Sequence, residues 1–325
     1  MTVAIPVYNS AATLERCIGS AARQTLRDIE ILVADDGSQD DSAQIAEEFA
    51  RRDPRIRVIR LRPNKGKPTA MNTLVAAARG EWVAVLDADD AYHEERLQHL
   101  VSAAEMTGSE MVADNIYYVD AGAGQVVRTA FDTSAPARFI TKESLAANSD
   151  SYAEFDYGVL KPVIKRSFLI DKGLTYFEGI KLAEDYYYLL SFLVSGGRGY
   201  LVSKPLYYWT MAFGTISRRW TETGNGAWRY DYNDALRANE HFIREMRDRS
   251  EDGVVRLLEA RSRRYKVMIH YLGAQRLAAD GRGYQALATI AGHPSTWPLL
   301  VRRIAGRLLR RLRGSVLRAE AWRLP

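Results

Sequence analysis

Over its first 110 residues the chain alternates short β-branched and aliphatic runs with stretches in which apolar positions recur every three or four residues. Residues 2–7, 29–34, 56–60 and 82–86 have the first pattern and read as strands; 12–24, 42–52 and 68–78 have the second and read as helices. In the first helix Leu14, Ile18 and Ala21–Ala22 share one face. Strand and helix in strict succession predict a mostly parallel central sheet flanked by helices, an α/β fold. Beyond about Asp114 the alternation loosens. Residues 111–119 and 200–208 still read as strands and 184–193 as a helix, around a polar, irregular stretch at 133–156. From Asn225 onward the pattern is helical, with 230–249 and 254–279 separated by a polar break at 247–253.

Composition narrows the class. With 47% hydrophobic and 26% charged residues in 325, the chain is that of a folded globular protein rather than a disordered one. Its longest wholly apolar runs, such as 82–86, are about five residues, where a membrane-spanning helix needs ~20. Cys17 is the single cysteine, so no internal disulfide or cysteine-rich zinc site can form. The five histidines show no metal-ligand spacing. From Met1 the sequence enters an apolar strand without a basic n-region or signal-peptide core, and the expected location is the cytoplasm.

The net charge of +5 is unevenly spread. Residues 297–325 carry eight Arg against one Glu, a surplus of +7 that leaves the rest of the chain at −2. A nucleic-acid groove would need basic residues over the body, so nucleic acid is excluded as a partner. On a helical wheel Trp297, Val301, Ile304, Leu308, Leu312 and Val316 fall in one half, and Arg302, Arg303, Arg307, Arg310 and Arg313 in the other. Such a basic amphipathic tail suits the anionic inner face of the plasma membrane; a helix packed on the protein with its arginines in water is the alternative.

Ligands of open parallel sheets bind beyond the carboxyl ends of the strands. Here two of those ends are acidic: Asp35-Asp36-Gly37-Ser38 and Asp87-Ala88-Asp89-Asp90. Carboxylates facing one crevice repel unless a cation or hydrogen-bond donors stand between them. A hard divalent ion, Mg²⁺ or Mn²⁺, on Asp87 and Asp89, with substrate phosphate oxygens completing its shell, relieves the repulsion. Each motif alone also reads as a turn and helix-cap signal.

The ordered motifs Ile5-Pro-Val-Tyr-Asn9, Val33-Ala-Asp-Asp-Gly-Ser38, Asn64-Lys-Gly66, Gly80-Glu-Trp82 and Asp87-Ala-Asp-Asp90 resemble the N-terminal half of family 2 glycosyltransferases. The likeness continues through Lys161-Pro-Val-Ile-Lys-Arg-Ser-Phe168, Glu184-Asp185 and Pro205-Leu-Tyr-Tyr208 to about residue 217, and the chain also resembles exopolysaccharide transferases of the succinoglycan type. The resemblance implies a GT-A fold and transfer with inversion at the anomeric carbon. It implies that Pro6, Val7, Tyr8 and Asp36 hold the uracil of a UDP-sugar, that Asp87 meets the ribose and Asp89 the metal, and that Asp185 is the base, with Glu184 orienting the acceptor. Where many relatives carry an arginine this chain has Met71, and Lys65 or Lys67 is the substitute cation. Arg218-Arg219-Trp220 is similar to the end of a motif of processive synthases, but Ile216 stands where they have Gln.

These readings divide the chain into a catalytic unit, 1–217, and a helical region, 218–325 with the tail 297–325. The nucleotide-sugar half is 1–114 and the acceptor half 115–217. The expected function is non-processive transfer of one sugar from a UDP-sugar to a lipid-linked saccharide in exopolysaccharide or related glycan assembly. A sugar-nucleotidyltransferase, or a membrane-associated scaffold without activity, would share the sheet; the first lacks its glycine-rich loop here, and intact Asp36, Asp87, Asp89 and Asp185 oppose the second. The tyrosine clusters 186–188 and 207–209 could stack on sugar rings or form core.

Overall fold

The computed structural model describes residues 1–147, 157–180, 183–211 and 232–301. The basic tail beyond Val301 and the motif around Arg218-Arg219-Trp220 lie outside the described residues. In chain order the elements are β1 (Thr2–Val7), α1 (Ala11–Ala22), β2 (Glu30–Asp35), α2 (Ser42–Arg52), β3 (Ile56–Arg60), α3 (Lys67–Ala77), β4 (Trp82–Val85), β5 (Ala91–Tyr92), α4 (Arg96–Thr107), β6 (Met111–Asp120), β7 (Val126–Thr129) and β8 (Arg138–Ile140). They continue with α5 (Lys142–Ala147), β9 (Val163–Lys165), α6 (Arg166–Asp171), α7 (Glu184–Val194), β10 (Gly199–Met211), α8 (Tyr232–Asp248), α9 (Asp252–Ala279) and α10 (Gly283–Gly292).

One sheet runs β3-β2-β1-β4-β9-β6-β10-β5, with β7 on β6 and β8 on β10. Strands β1 to β4 are parallel neighbours; β1, β2 and β4 are the apolar runs expected where helices cover both faces, and β3, with Arg57 and Arg60, forms the edge. The loosening beyond Asp114 has a physical source. The three-residue β9 enters antiparallel between β4 and β6, and β10 then pairs parallel with β6. So short an insert carries no period of its own. β10 also slips register around Pro205, which has no N–H to give to a ladder.

Helix α1 shows how sequence sets packing: Leu14, Cys17, Ile18 and Ala21, spaced three and four apart, are fully buried against the sheet. Helix α7 is covered from the other side by the C-terminal helices. Phe242 of α8 stacks on Tyr187 with centroids 4.3 Å apart, and the Tyr187 hydroxyl donates to Asn239 Oδ1 at 3.0 Å. Arg261 of α9 lies 3.8 Å from the centre of the Tyr186 ring. The C-terminal helices thus share one core with the sheet; Met246, Val254 and Leu258 belong to it.

A buried ion pair sits where α4 meets β6 and β10. Arg96, with no exposed surface, gives its Nε to both oxygens of Asp114 at 3.1 Å and its Nη2 to Oδ1 at 2.6 Å. The same Nη2 donates to the backbone carbonyl of Lys161. Leu206, beside the slip in β10, sends its N–H to Asp114 Oδ2 at 3.2 Å. Tyr92 and Tyr207 lay their rings 4.3 and 5.0 Å from the guanidinium. Replacing one partner of such a pair strands the other charge without water. Asp114→Ala should therefore lower the unfolding free energy by about 3–5 kcal/mol, read from urea denaturation. A loss below about 1 kcal/mol, the scale of a surface pair, would show that the pair does not anchor these strands.

Candidate active site

The carboxyl ends of β1, β2 and β4 open on one crevice, and each is held by side chains rather than left as free loop. At the end of β2 the buried Asp36 accepts the N–H of Lys65 at 2.8 Å on one oxygen and that of Gly66 at 2.7 Å on the other. Gly66 has φ +91°, which suits glycine and aims two successive N–H groups at one carboxylate. Helix α3 starts at the next residue, Lys67, with Pro68 in its first turn. Asp36 therefore fixes where Lys67 begins. Pro6 and Val7 are enclosed in β1, and Tyr8 is half-buried at its end.

The acidic loop after β4 is gripped from two directions. Helix α1 holds its backbone: Thr13 Oγ1 donates to the Ala88 carbonyl at 2.9 Å, and Arg16 Nη2 to the Asp89 carbonyl at 2.6 Å. Arg16 reaches on to Thr210 Oγ1 at 2.7 Å. From β10, the Tyr207 hydroxyl donates to Asp90 Oδ2 at 2.7 Å and accepts the Asp87 N–H at 3.2 Å, while Thr210 N–H meets Asp90 Oδ1 at 2.8 Å. Asp90 is consumed by this scaffold. Burial, then the charges of Asp89 and Asp87, push its carboxyl well above the usual range.

Two lysines join this loop to the start of α7. Lys67 Nζ lies 3.0 Å from Asp87 Oδ1, 3.1 Å from Glu184 Oε1 and 3.0 Å from Asp185 Oδ2. Lys161 Nζ, on the strand side, lies 2.8 Å from Asp87 Oδ2 and in close contact with Asp185 Oδ2. Burial alone would push both ammonium groups down, but Asp185 and Asp87 outweigh it and hold both up. Burial alone would likewise push Asp87 up; Lys161 and Lys67 reverse that and keep it below the usual carboxylate range. Ala183, just before Glu184, takes φ 62°, an uncommon conformation for a residue with a side chain, and turns the chain into α7 at this point.

Asp89 differs from its neighbours. Among the described residues no other residue hydrogen-bonds its carboxylate, and burial followed by the charge of Asp87 pushes its carboxyl up to about 6. Asp87 Oδ1 is buried without an aligned hydrogen bond, although Lys67 is close. Two adjacent carboxylates with unspent oxygens fit a hard divalent cation. No group of three Asp, Glu, His or Cys able to hold a metal occurs among the described residues, so ligand phosphate and water would supply the remaining bonds.

The structure thus brings Lys67, Asp87, Glu184 and Asp185 together, sets Asp89 beside them, and ties Asp36 to them through 65–67. Sequence reasoning missed Lys161 as a site residue, along with Arg16 and Tyr207 as its scaffold. The signal for Lys161 was a lysine just before a proline and an apolar pair, which also describes a surface loop. Asn72 proves to be a clamp: its side chain takes the Tyr176 N–H at 2.7 Å and gives to the Tyr176 carbonyl at 2.9 Å. Met71 is fully buried, and Lys67, one turn earlier on the same helix, has its ammonium at Asp87. Tyr186, Tyr187, Tyr188 and Tyr207 are core residues and offer no face to a sugar.

A sequence profile described as Glycosyl transferase family 2 matches residues 2–165. The chain is 32% identical over 322 residues to the succinoglycan biosynthesis protein ExoO of Rhizobium meliloti (strain 1021), across 95% of this chain and 86% of that protein. It is 34% identical over 200 residues to the succinoglycan biosynthesis protein ExoU of the same organism, across 60% of this chain and 57% of ExoU. Among solved structures, S. aureus TarS 1-349 in complex with UDP-GlcNAc aligns with a TM-score of 0.61 at 21% identity, over 75% of this chain and 66% of that one. The mannosyltransferase PcManGT from Pyrobaculum calidifontis, in complex with GDP-Man and Mn²⁺, aligns with a TM-score of 0.54 at 19% identity, over 94% of this chain and 80% of that one. At such identities the two structures speak for the fold, the mixed α/β architecture with a helical C-terminal region.

If Lys161 and Asp87 touch as described, their removals cannot be independent. A double-mutant cycle with Lys161→Met and Asp87→Asn should return a coupling of about 0.5–3 kcal/mol in urea unfolding. Additive losses, within about 0.3 kcal/mol, would show that the ammonium does not serve Asp87.

Proposed function

The chain belongs to the family 2 glycosyl transferases, and from that premise we propose that it moves one sugar from a UDP-sugar to a lipid-linked saccharide during exopolysaccharide assembly, non-processively and with inversion. The observation that carries this reading is the pair of lysines that places Asp87, beside the carboxylates suited to a cation, across one short gap from Asp185. The names of ExoO and ExoU support the glycan class, and the UDP-GlcNAc complex of TarS supports the donor class.

In this reading the nucleotide lies over β1 and β2, with Pro6, Val7, Tyr8 and Asp36 on the uracil and Asp87 on the ribose. Asp89 and Asp87 hold Mg²⁺ or Mn²⁺, which when bound withdraws charge from the diphosphate. Lys67, 3.0 Å from Asp87, faces that region, and its ammonium neutralises negative charge there. The acceptor hydroxyl is a poor nucleophile. Asp185 takes its proton as the new bond to the anomeric carbon forms, and the bond from that carbon to the diphosphate oxygen breaks with its electron pair going to UDP. Glu184 orients the acceptor.

We assign 1–217 to catalysis, with 1–114 for the donor and 115–217 for the acceptor, and 218–325 to support. No described helix is long and apolar enough to cross a membrane. The eight arginines of 297–325 suit the anionic inner leaflet as the meeting place with a lipid-linked acceptor, and place the enzyme in the cytoplasm, peripheral to that leaflet.

Two substitutions separate the roles. Asp185→Asn keeps shape but cannot accept a proton; it should cut kcat for sugar transfer by about 10²–10⁴ with UDP affinity unchanged in calorimetry. Near-normal kcat would send the search for the base elsewhere. Asp89→Ala should abolish the strengthening of UDP binding by Mn²⁺ while leaving the metal-free affinity within about twofold, since only a metal ligand is lost. An undiminished metal effect would remove Asp89 from the metal site.

A further inference from the structure

Helix α10 is apolar yet lies mostly in the open. Between Arg282 and Arg302 the sequence carries no Asp, Glu, Lys or Arg. Only Ala286 of the helix is buried, and its C-terminal end rests on α9 through the stacked rings of His270 and His293, 3.5 Å apart. Positions 284, 287, 288 and 291, spaced three and four apart, form one stripe, and all four are exposed. Tyr284 is 86% and Leu287 70% exposed, and just beyond the helix Trp297 is 52% and Val301 64% exposed. The Trp297 indole N–H donates to the Ile290 carbonyl at 3.0 Å, which sets its ring over the last turn of α10. A patch of this size without charge marks a contact surface.

We propose that this face lies in the plane of an anionic lipid bilayer as an apolar foot, held down by the arginines that follow it. The occupant is argued from charge and residue type. The next 24 residues carry eight Arg and one Glu, so the stretch adjoining the patch attracts an anionic surface. Tyr284 and Trp297 are the side chains that favour the boundary between headgroups and acyl chains, and Leu287 stands between them in sequence. An uncharged patch alone would bind weakly, and a basic segment alone would hover; together they supply the two signals that stable attachment requires. The inference rests on the reading of the tail as a membrane contact and adds a second, separable element to it.

The test is co-sedimentation of the full chain with phosphatidylethanolamine vesicles that contain phosphatidylglycerol. Leu287→Asp, at an exposed site that leaves folding intact, should weaken partition about tenfold through the lost apolar contact, and Tyr284→Asp should do likewise. Met106, 81% exposed on α4, gives the control: Met106→Asp should bind as the parent does. Thermal melts and UDP binding should match the parent in all three. Should Leu287→Asp and Tyr284→Asp sediment as the parent does while a chain lacking 302–325 does not, the foot is refuted and the tail reading stands. If the parent itself fails to bind these vesicles, both fall. A parent that is dimeric in solution and becomes monomeric with Leu287→Asp, at unchanged lipid binding, would assign the patch to a second copy and overturn the proposal.

Discussion

Parallel strands deliver their carboxyl ends to the same edge of a sheet, and in this chain two of those ends, after β2 and β4, are acidic. Five carboxyl groups, those of Asp87, Asp89, Asp90, Glu184 and Asp185, come within reach of one another in a place water barely enters. In a medium of low dielectric that gathering would drive the elements apart or force protons onto the acids. Lys67 and Lys161 prevent it, each shared between the loop after β4 and the first turn of α7. The remaining imbalance is local: Asp90 is absorbed by Tyr207 and Thr210, and among the described residues no ion pair engages the Asp89 carboxylate. Such an imbalance suits a cation.

The lysines can do this only because they cannot drift. Lys67 is set by the chain reversal that Asp36 ties down, and Lys161 by its own carbonyl, which Arg96 holds from the interior. Arg96 meanwhile fixes Asp114, and through it the N–H of Leu206 at the slip in β10. Tyr207, one residue on, braces the acidic loop. A single buried guanidinium thus steadies Lys161 and the slip in β10 together. Helices α8 and α9 complete the arrangement by closing the far side of α7, so that the helix carrying Glu184 and Asp185 has core on both flanks.

The first 110 residues of this architecture were legible in sequence to within a residue or two, since strands buried on both faces and amphipathic helices have distinct periods. Asp36, Asp87 and Asp89 stood out as acids at strand ends, and Asp185 only through the family resemblance. What sequence could not reveal was the partnership. Lys67 lies 20 residues from Asp87 and 118 from Asp185, and no local pattern predicts that they meet. Strands of two or three residues, such as β5 and β9, draw their existence from neighbours rather than from their own composition. The tyrosines of α7 read equally as sugar platforms or core until Phe242 and Arg261 were seen to cover them.

The closure of the acidic loop by Tyr207 and Thr210 has a consequence for biosynthesis on the ribosome. The bond from Thr210 to Asp90 spans 120 residues, and that from Arg16 to Thr210 spans 194. At roughly 5–20 residues per second, a nascent chain waits about 6–24 s after its acidic loop is made before the strand that braces it is synthesised. During that interval the first four strands can pair, but their crevice holds the acids without Lys161 or β10. The contacts that brace the acidic loop can form only once the last strand of the sheet has emerged.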